Sequence, residues 1–173
     1  MSGTRPSPVN EAFFLEVNGQ PQWVTVRGAD RDNPVLFVVG GPGACFSSMA
    51  MFFAPWEQVF TLVQWDQPGA GATYGKNAGQ IPEPYCLERL STDAVTAATM
   101  VRKQLGIDNM ILLGMSAGTV TGLLAIHDPL QVFSAYIGCG SFVHWQRQAA
   151  TGYDMVVSRA RSAGCHPPER RRA

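Results

Sequence analysis

The sequence predicts an α/β protein with a doubly wound, mostly parallel sheet preceded by an antiparallel hairpin. Two observations carry this prediction. Short apolar runs of strand length alternate with apolar patterns of helical length, and three of the runs end in glycine-rich turns. In such sheets, sites form where the carboxyl ends of the parallel strands meet. The three glycine-rich strand ends are residues 40–43, 69–71 and 114–118.

The first predicted element is a β-hairpin. Apolar residues dominate 13–17 and 23–26, and the dipeptide Asn18-Gly19 between them favours a tight hairpin turn. The next run, 35–39, is continuously apolar and largely β-branched, which is typical of a central strand buried on both faces.

The middle of the chain predicts a short helix, a strand and a long helix. The helix covers 46–53 and is broken at Pro55, and the strand covers 60–65. From Ser91 the apolar residues follow helical spacing, and Gly106 occupies the C-cap position.

A second strand–helix pair follows, and then a further strand. Residues 110–113 predict a strand, the apolar run from Thr119 to Ile126 predicts a helix, and Pro129 forbids its continuation. Residues 132–137 predict the next strand.

Composition narrows the classes of function. The chain has 173 residues, 46% of them hydrophobic and 15% charged, with zero formal net charge, which predicts one soluble globular domain. Only residues 170–172 form a basic run, which argues against a nucleic-acid partner. No apolar run has the length of a membrane span, and no signal peptide is visible, so we expect no membrane partner and a cytoplasmic location. The four cysteines have no metal-ligand spacing and predict buried free thiols; no metal or other cofactor is implied.

The sequence around Ser116 carries the main functional signal. Gly114 and Gly118 flank Met115-Ser116-Ala117, giving a G-x-S-x-G pattern between a predicted strand and a predicted helix. This pattern predicts a nucleophile elbow, in which a tight turn raises a serine hydroxyl above the sheet. The alternative is a glycine-rich turn of an ordinary α/β unit with an incidental serine.

A serine nucleophile needs further groups around it. It requires a base, usually histidine, that is oriented by an acid, and two donors aimed at the developing oxyanion. The predicted donors are the backbone N–H groups of Ala117 and Gly41, with Gly40 as the second candidate for the latter. A phosphate-binding turn or a plain turn is the alternative for 40–43, and Pro42 argues against a phosphate cradle because it removes a donor.

Three motifs give the chain a family resemblance. They are Val-Gly-Gly-Pro-Gly at 39–43, Asp-Gln-Pro-Gly-Ala-Gly-Ala-Thr at 66–73 and Gly-Met-Ser-Ala-Gly-Thr at 114–119. Over roughly residues 11–162 the chain resembles the N-terminal half of an α/β-hydrolase of the proline iminopeptidase-like group, serine peptidase family S33. The resemblance implies an α/β-hydrolase fold truncated before its last strands. It also implies aminopeptidase-like attack by Ser116 on an amide or ester carbonyl of a small molecule or short peptide.

The chain departs from the motifs of that group at three positions. Val39 stands where the first motif has histidine, and Pro68 replaces an arginine. Ala117 stands where the peptidases often carry tryptophan, which changes the pocket wall but keeps the N–H group.

The resemblance also implies catalytic partners that the chain does not supply. In this group the acid and the histidine follow the elbow in chain order. The chain has three histidines, at 127, 144 and 166. The first is predicted to be a helix-terminal residue, the second is a candidate substitute base, and the third belongs to the tail. Neither Asp66, expected to order its own turn, nor Asp154 matches the triad acid. We therefore expect the chain alone to be inactive.

The predicted organisation has three parts. Residues 1–142 form a partial hydrolase core, 143–163 resemble the first helix of a substrate-selecting cap, and 164–173 are divergent and disordered, as after a frameshift or a premature stop. Three alternatives remain: a carboxylesterase-type hydrolase, a non-catalytic fragment that self-associates through the exposed edge of strand 132–137, and completion of the site by a separate polypeptide. An epoxide hydrolase is disfavoured, because its nucleophile is normally a carboxylate.

Overall fold

The structure is a computed structural model that describes residues 6–165. It contains one sheet of six strands in the order β1-β2-β4-β3-β5-β6. The chain divides into two compact units, the first ending at Ser141 and the second beginning at Phe142. The strands are β1 Val9–Val17, β2 Gln20–Gly28, β3 Val35–Val39, β4 Thr61–Trp65, β5 Met110–Met115 and β6 Phe133–Cys139. The α-helices are α1 Ala50–Phe53, α2 Gly71–Lys76, α3 Leu87–Leu105, α4 Gly118–Ile126 and α5 Trp145–Ser162.

The opening hairpin forms as predicted, but its strands are longer than predicted. Val17 pairs with Gln20, so the turn contains only Asn18 and Gly19. Their φ angles are 48° and 81°, the left-handed conformation that asparagine and glycine tolerate best.

The remaining strands are mostly parallel. Strands β4, β3, β5 and β6 run parallel to one another, and β2 pairs with β4 in the antiparallel sense. Every residue of β3 and β4 is buried, including the polar Thr61 and Gln64 of β4, as expected for central strands covered on both faces. Because the carboxyl ends of parallel strands meet at one edge, the three glycine-rich loops lie at that edge. The predicted doubly wound sheet is confirmed.

Helices cover the two faces of the sheet unequally. On one face, α3 packs Leu90, Ala94 and Val101 against a core that includes Phe37 and Trp65. Helix α3 begins four residues before the predicted start, and Gly106 ends it with a φ of 68°, as predicted. On the other face, a smaller cluster is built from Phe46 and Phe53 against the sheet.

Two details of the prediction are wrong. The predicted helix over 46–53 is a 3₁₀ turn followed by the short helix α1, and Pro55 opens a second 3₁₀ turn, Ala54–Gln58, instead of breaking the segment. Proline fits there because the first turn of a helix leaves its N–H groups unpaired.

The four cysteines are free, as predicted, but none is buried. Cys45 and Cys86 are half-buried, and Cys139 and Cys165 are exposed.

The second unit consists mainly of α5, predicted over 143–163. None of its residues is buried within the described chain. No helix among residues 6–165 is long and apolar enough to cross a membrane. The predicted basic run, 170–172, and His166 lie outside the described residues. The predicted disordered tail, 164–173, lies outside them except for its first two residues.

Candidate active site

Ser116 lies in a strained turn between β5 and α4. Its φ is 55°, a left-handed conformation that non-glycine residues rarely adopt. The Ser116 N–H donates to the carbonyl of Cys139 at 2.9 Å, and the Ser116 carbonyl accepts from the Thr119 N–H at 3.0 Å. Ser116 is exposed, whereas most of its neighbours in β5 are buried. The turn therefore presents the serine at the carboxyl edge of the sheet.

The glycines on either side of Ser116 are required by close backbone packing. A Cβ atom at Gly118 would clash with the carbonyl oxygen of Val39 and lie 2.5 Å from the carbonyl carbon of Gly40. A Cβ atom at Gly114 would lie 2.9 Å from the carbonyl oxygen of Gly118. Gly118 thus lets the turn approach the end of β3, and Gly114 lets the turn close on itself.

The loop that follows β3, residues 40–44, lies beside the serine turn; we call it the glycine loop. A Cβ atom at Gly41 would lie 3.1 Å from the Ala117 Cβ and 4.0 Å from the Ala117 nitrogen. Gly40 is buried, whereas Gly41 and Ala117 are partly exposed. Of the two glycines weighed from sequence, Gly41 therefore offers its backbone at the surface beside Ala117.

Asp66 is occupied in its own turn. Its carboxylate accepts from the N–H and the hydroxyl of Ser47, at 3.1 and 2.7 Å, and from the N–H of Ala72 at 3.1 Å. These bonds hold the segment after the glycine loop to the start of α2. They leave Asp66 with a structural role at the site's edge.

The described histidines have structural contacts of their own. His127 lies at the C-cap of α4. The nine residues of that helix separate it from the serine turn by about 13 Å. His144 is the N-cap of α5, where its Nδ1 accepts from the Arg147 N–H at 3.3 Å. Asp154 is an exposed residue of α5.

Three side chains that were not predicted as site residues support the site. Tyr136 of β6 donates its hydroxyl hydrogen to the Thr119 carbonyl at 3.0 Å, and burial raises its pKa above the ordinary tyrosine value. Gln67 and Tyr85 hydrogen-bond to the glycine loop. Gln67 lies inside a quoted motif and could have been noticed, whereas no local pattern marks Tyr85 or Tyr136.

Among residues 6–165, no three or more histidine, cysteine, aspartate or glutamate side chains come together in a way that could hold an ion.

Comparison with solved structures identifies the architecture. A proline iminopeptidase of Mycobacterium smegmatis superimposes with a TM-score of 0.63 at 19% identity, covering 89% of this chain and 55% of its own. A carboxyl esterase of Bacillus coagulans gives a TM-score of 0.63 at 14% identity, covering 88% and 51%. The chain has the α/β-hydrolase fold.

Sequence comparison points to the same group. The chain is 26% identical over 144 residues to the probable aminopeptidase YbaC of Bacillus subtilis (strain 168), covering 82% of this chain and 45% of that protein. No protein-family model matches the chain. The predicted resemblance to the proline iminopeptidase-like hydrolases is confirmed, and the chain spans about half the length of the relatives it matches.

Proposed function

We propose that Ser116 is the nucleophile of a serine hydrolase site that attacks an amide or ester carbonyl. The observation that carries the proposal is the left-handed turn at Ser116, which exposes the serine and places the next residue, Ala117, against Gly41. A strained turn of this kind persists only where its surroundings hold it, and such strain concentrates at functional sites.

The proposed chemistry is acyl transfer. The Ser116 oxygen attacks the carbonyl carbon, and its proton passes to a general base. The developing oxyanion is stabilised by the N–H groups of Ala117 and Gly41. The N–H group after the nucleophile is a regular donor in an elbow, and the glycine loop supplies the second.

We further propose that the 173-residue chain alone does not turn over substrate. His127 is about 13 Å from the serine turn along α4, and the Nδ1 of His144 is engaged in capping α5. Asp66 is engaged by Ser47 and Ala72. On this proposal the described residues supply the nucleophile and the oxyanion donors, and a different polypeptide segment supplies the acid and the base.

The substrate class rests on the similar proteins. Their printed names describe an aminopeptidase, a proline iminopeptidase and a carboxyl esterase. We propose an aminopeptidase-like hydrolase of small amide or short peptide substrates, with a carboxylesterase as the alternative. In either case α5 is proposed to be the first helix of a cap that selects the substrate.

The nucleophile can be tested without turnover. A phosphonofluoridate forms a bond between the serine oxygen and phosphorus as fluoride leaves, and added imidazole accepts the proton. Intact-mass analysis should show one adduct, located at Ser116 and formed faster with imidazole. The Ser116→Ala variant should remain unlabelled, and Ser48→Ala, which removes another exposed serine, should label as the wild type does. Equal labelling of wild type and Ser116→Ala would overturn the proposal.

Turnover is measured separately with proline arylamides and p-nitrophenyl esters. We expect no hydrolysis by the wild type above that of Ser116→Ala. Robust Ser116-dependent turnover would contradict the proposed lack of activity and would point to His144 as the base.

The second candidate function is association without catalysis, which the edge of the sheet favours. Strand β6 has one strand neighbour, β5, among the described residues. Ile137 on β6 is 47% exposed and lines an apolar cavity of about 330 Å³ with residues that include Trp56 and Val59. An unpaired strand edge beside apolar surface favours pairing with another chain. We propose self-association through β6 as this alternative.

A further inference from the structure

The glycine loop has little hydrogen bonding within itself to fix its shape. Its internal backbone bond runs from the Ala44 N–H to the Gly41 carbonyl, at 3.0 Å. Pro42 has no N–H group to contribute. The position of the Gly41 N–H group therefore depends on contacts from outside the loop.

Gln67, which follows β4, hydrogen-bonds to both ends of the loop from inside the protein. Its side chain is fully buried. Its Nε2 donates to the Gly40 carbonyl at 3.0 Å, and its Oε1 accepts from the Ala44 N–H at 3.3 Å. The Gln67 N–H also donates to the Ala44 carbonyl at 3.2 Å. Only a side chain that donates and accepts at once satisfies both ends of the loop.

Tyr85 holds the loop from the outer side. Its hydroxyl oxygen accepts from the Gly43 N–H at 2.9 Å, and its hydroxyl hydrogen is donated to the Pro68 carbonyl at 3.0 Å. One hydroxyl thus ties the glycine loop to the turn after β4. Desolvation raises the pKa of Tyr85, so the hydroxyl keeps the proton that it donates at neutral pH.

We propose that Gln67 and Tyr85 are positioning residues that fix the glycine loop so that the Gly41 N–H group faces the oxyanion. The inference rests on the proposed function. Neither side chain is placed to touch substrate; each acts through the backbone of the loop.

The contacts themselves are tested by amide hydrogen exchange, which needs no activity. In Tyr85→Phe the Gly43 amide should exchange about tenfold faster, because its acceptor is lost, while the amides of β5 stay protected. In Gln67→Glu the carboxylate can still accept from the Ala44 N–H, but it faces the Gly40 carbonyl without a hydrogen to donate. The loop should therefore open more often at neutral pH, and the Gly43 and Ala44 amides should exchange faster than in wild type. Circular dichroism and thermal melting verify that each variant is folded. Unchanged exchange in a folded variant would overturn the proposed contacts.

The positioning role is tested by the rate of phosphonofluoridate labelling at Ser116. We expect each variant to label about tenfold more slowly than wild type at neutral pH, because a displaced donor stabilises the transition state poorly. In Gln67→Glu the rate relative to wild type should recover as pH falls, since a protonated carboxyl both donates and accepts as the amide does. Cys45, Asp66 and Tyr85 are ionisable groups beside the loop. They are present in both proteins, so their own titration enters both labelling rates and cancels in the ratio.

The possible outcomes separate the two proposals. If the wild type does not label at Ser116, the proposed function fails and the positioning role fails with it. If the wild type labels and folded variants label equally fast, only the positioning role is overturned. Slower labelling of Gln67→Glu without recovery at low pH would show general damage to the fold and would also overturn it.

Discussion

At the scale of the single residue, Ser116 combines exposure with backbone strain. Serine at a φ of 55° pays a steric cost that glycine avoids. We expect Ser116→Gly to raise the free energy of unfolding by about 1 kcal/mol, measured by urea denaturation. The same variant should lose all labelling by the phosphonofluoridate.

The matched control is Ser48→Gly, which changes an exposed serine outside the positive-φ region. Ser48 donates its hydroxyl hydrogen to the Cys45 carbonyl at 2.8 Å. Its replacement should lower stability by about 0.5–1 kcal/mol, because glycine adds freedom to the unfolded chain and the bond is lost. If Ser116→Gly destabilises the protein as Ser48→Gly does, the turn at Ser116 stores no strain.

Residues that act through local geometry could be predicted from the sequence, and residues that act through distant contacts could not. Asn18-Gly19 and the glycines around Ser116 are visible because a turn or a close approach restricts the residue type at that position. Tyr85 lies 42 positions from the glycine it contacts, and Tyr136 lies 17 positions from Thr119. Only the fold brings such pairs together.

At the scale of the element, Tyr136 joins β6 to α4. Its ring fits beneath the serine turn because three positions around it carry no side chain. A Cβ atom at Gly122 would lie 2.8 Å from the Tyr136 ring, and one at Gly114 or Gly138 would lie 3.1 Å from its hydroxyl oxygen. The tyrosine therefore links the strand, the turn and the helix that carry the site.

We expect Tyr136→Phe to lower the free energy of unfolding by about 1 kcal/mol, because the hydrogen bond to the Thr119 carbonyl is lost while the ring remains. Urea denaturation measures the change. Tyr74→Phe is the control, since Tyr74 is 48% exposed on α2, and its stability should match that of wild type. Equal stability of Tyr136→Phe and wild type would show that the bond contributes nothing.

The difference in stability between wild type and Tyr136→Phe should depend on pH. Burial raises the pKa of Tyr136 above 10.0, so the folded state holds this proton more tightly than the unfolded chain does. The contribution is fully present below pH 10.0 and is lost as pH rises through the folded pKa. The difference in the free energy of unfolding between wild type and Tyr136→Phe should therefore narrow as the pH rises above 10.0. A constant difference would contradict the raised pKa.

The elements themselves were predictable where one physical signal dominates. A continuous apolar run identified β3, a largely apolar run of strand length identified β4, and helical spacing with a terminal glycine identified α3. The segment that contains Pro55 was mispredicted, because proline stops an α-helix but is favoured at the start of a new turn. Helix α2 has six residues, including two glycines, and leaves no periodic pattern to detect.

At the scale of the whole molecule, the two edges of the sheet differ. Strand β1 belongs to a long antiparallel hairpin, whereas β6 is a parallel edge strand with every residue at least partly exposed. Apolar side chains are also exposed on and after α4, among them Leu123, Leu124 and Leu130. This concentration of apolar surface near one unpaired edge is the physical basis for the proposed association.

We expect the purified chain to self-associate with rising concentration, and Ile137→Lys to weaken that association by about tenfold or about 1.4 kcal/mol. A charge on an edge strand opposes pairing because it would be buried in the new interface. Sedimentation velocity over a concentration series measures the equilibrium. Met51→Lys changes an apolar side chain that is 75% exposed on α1 rather than on the edge strand, and should associate as wild type does. A monomer at all concentrations, or equal weakening by both lysines, would refute association through β6.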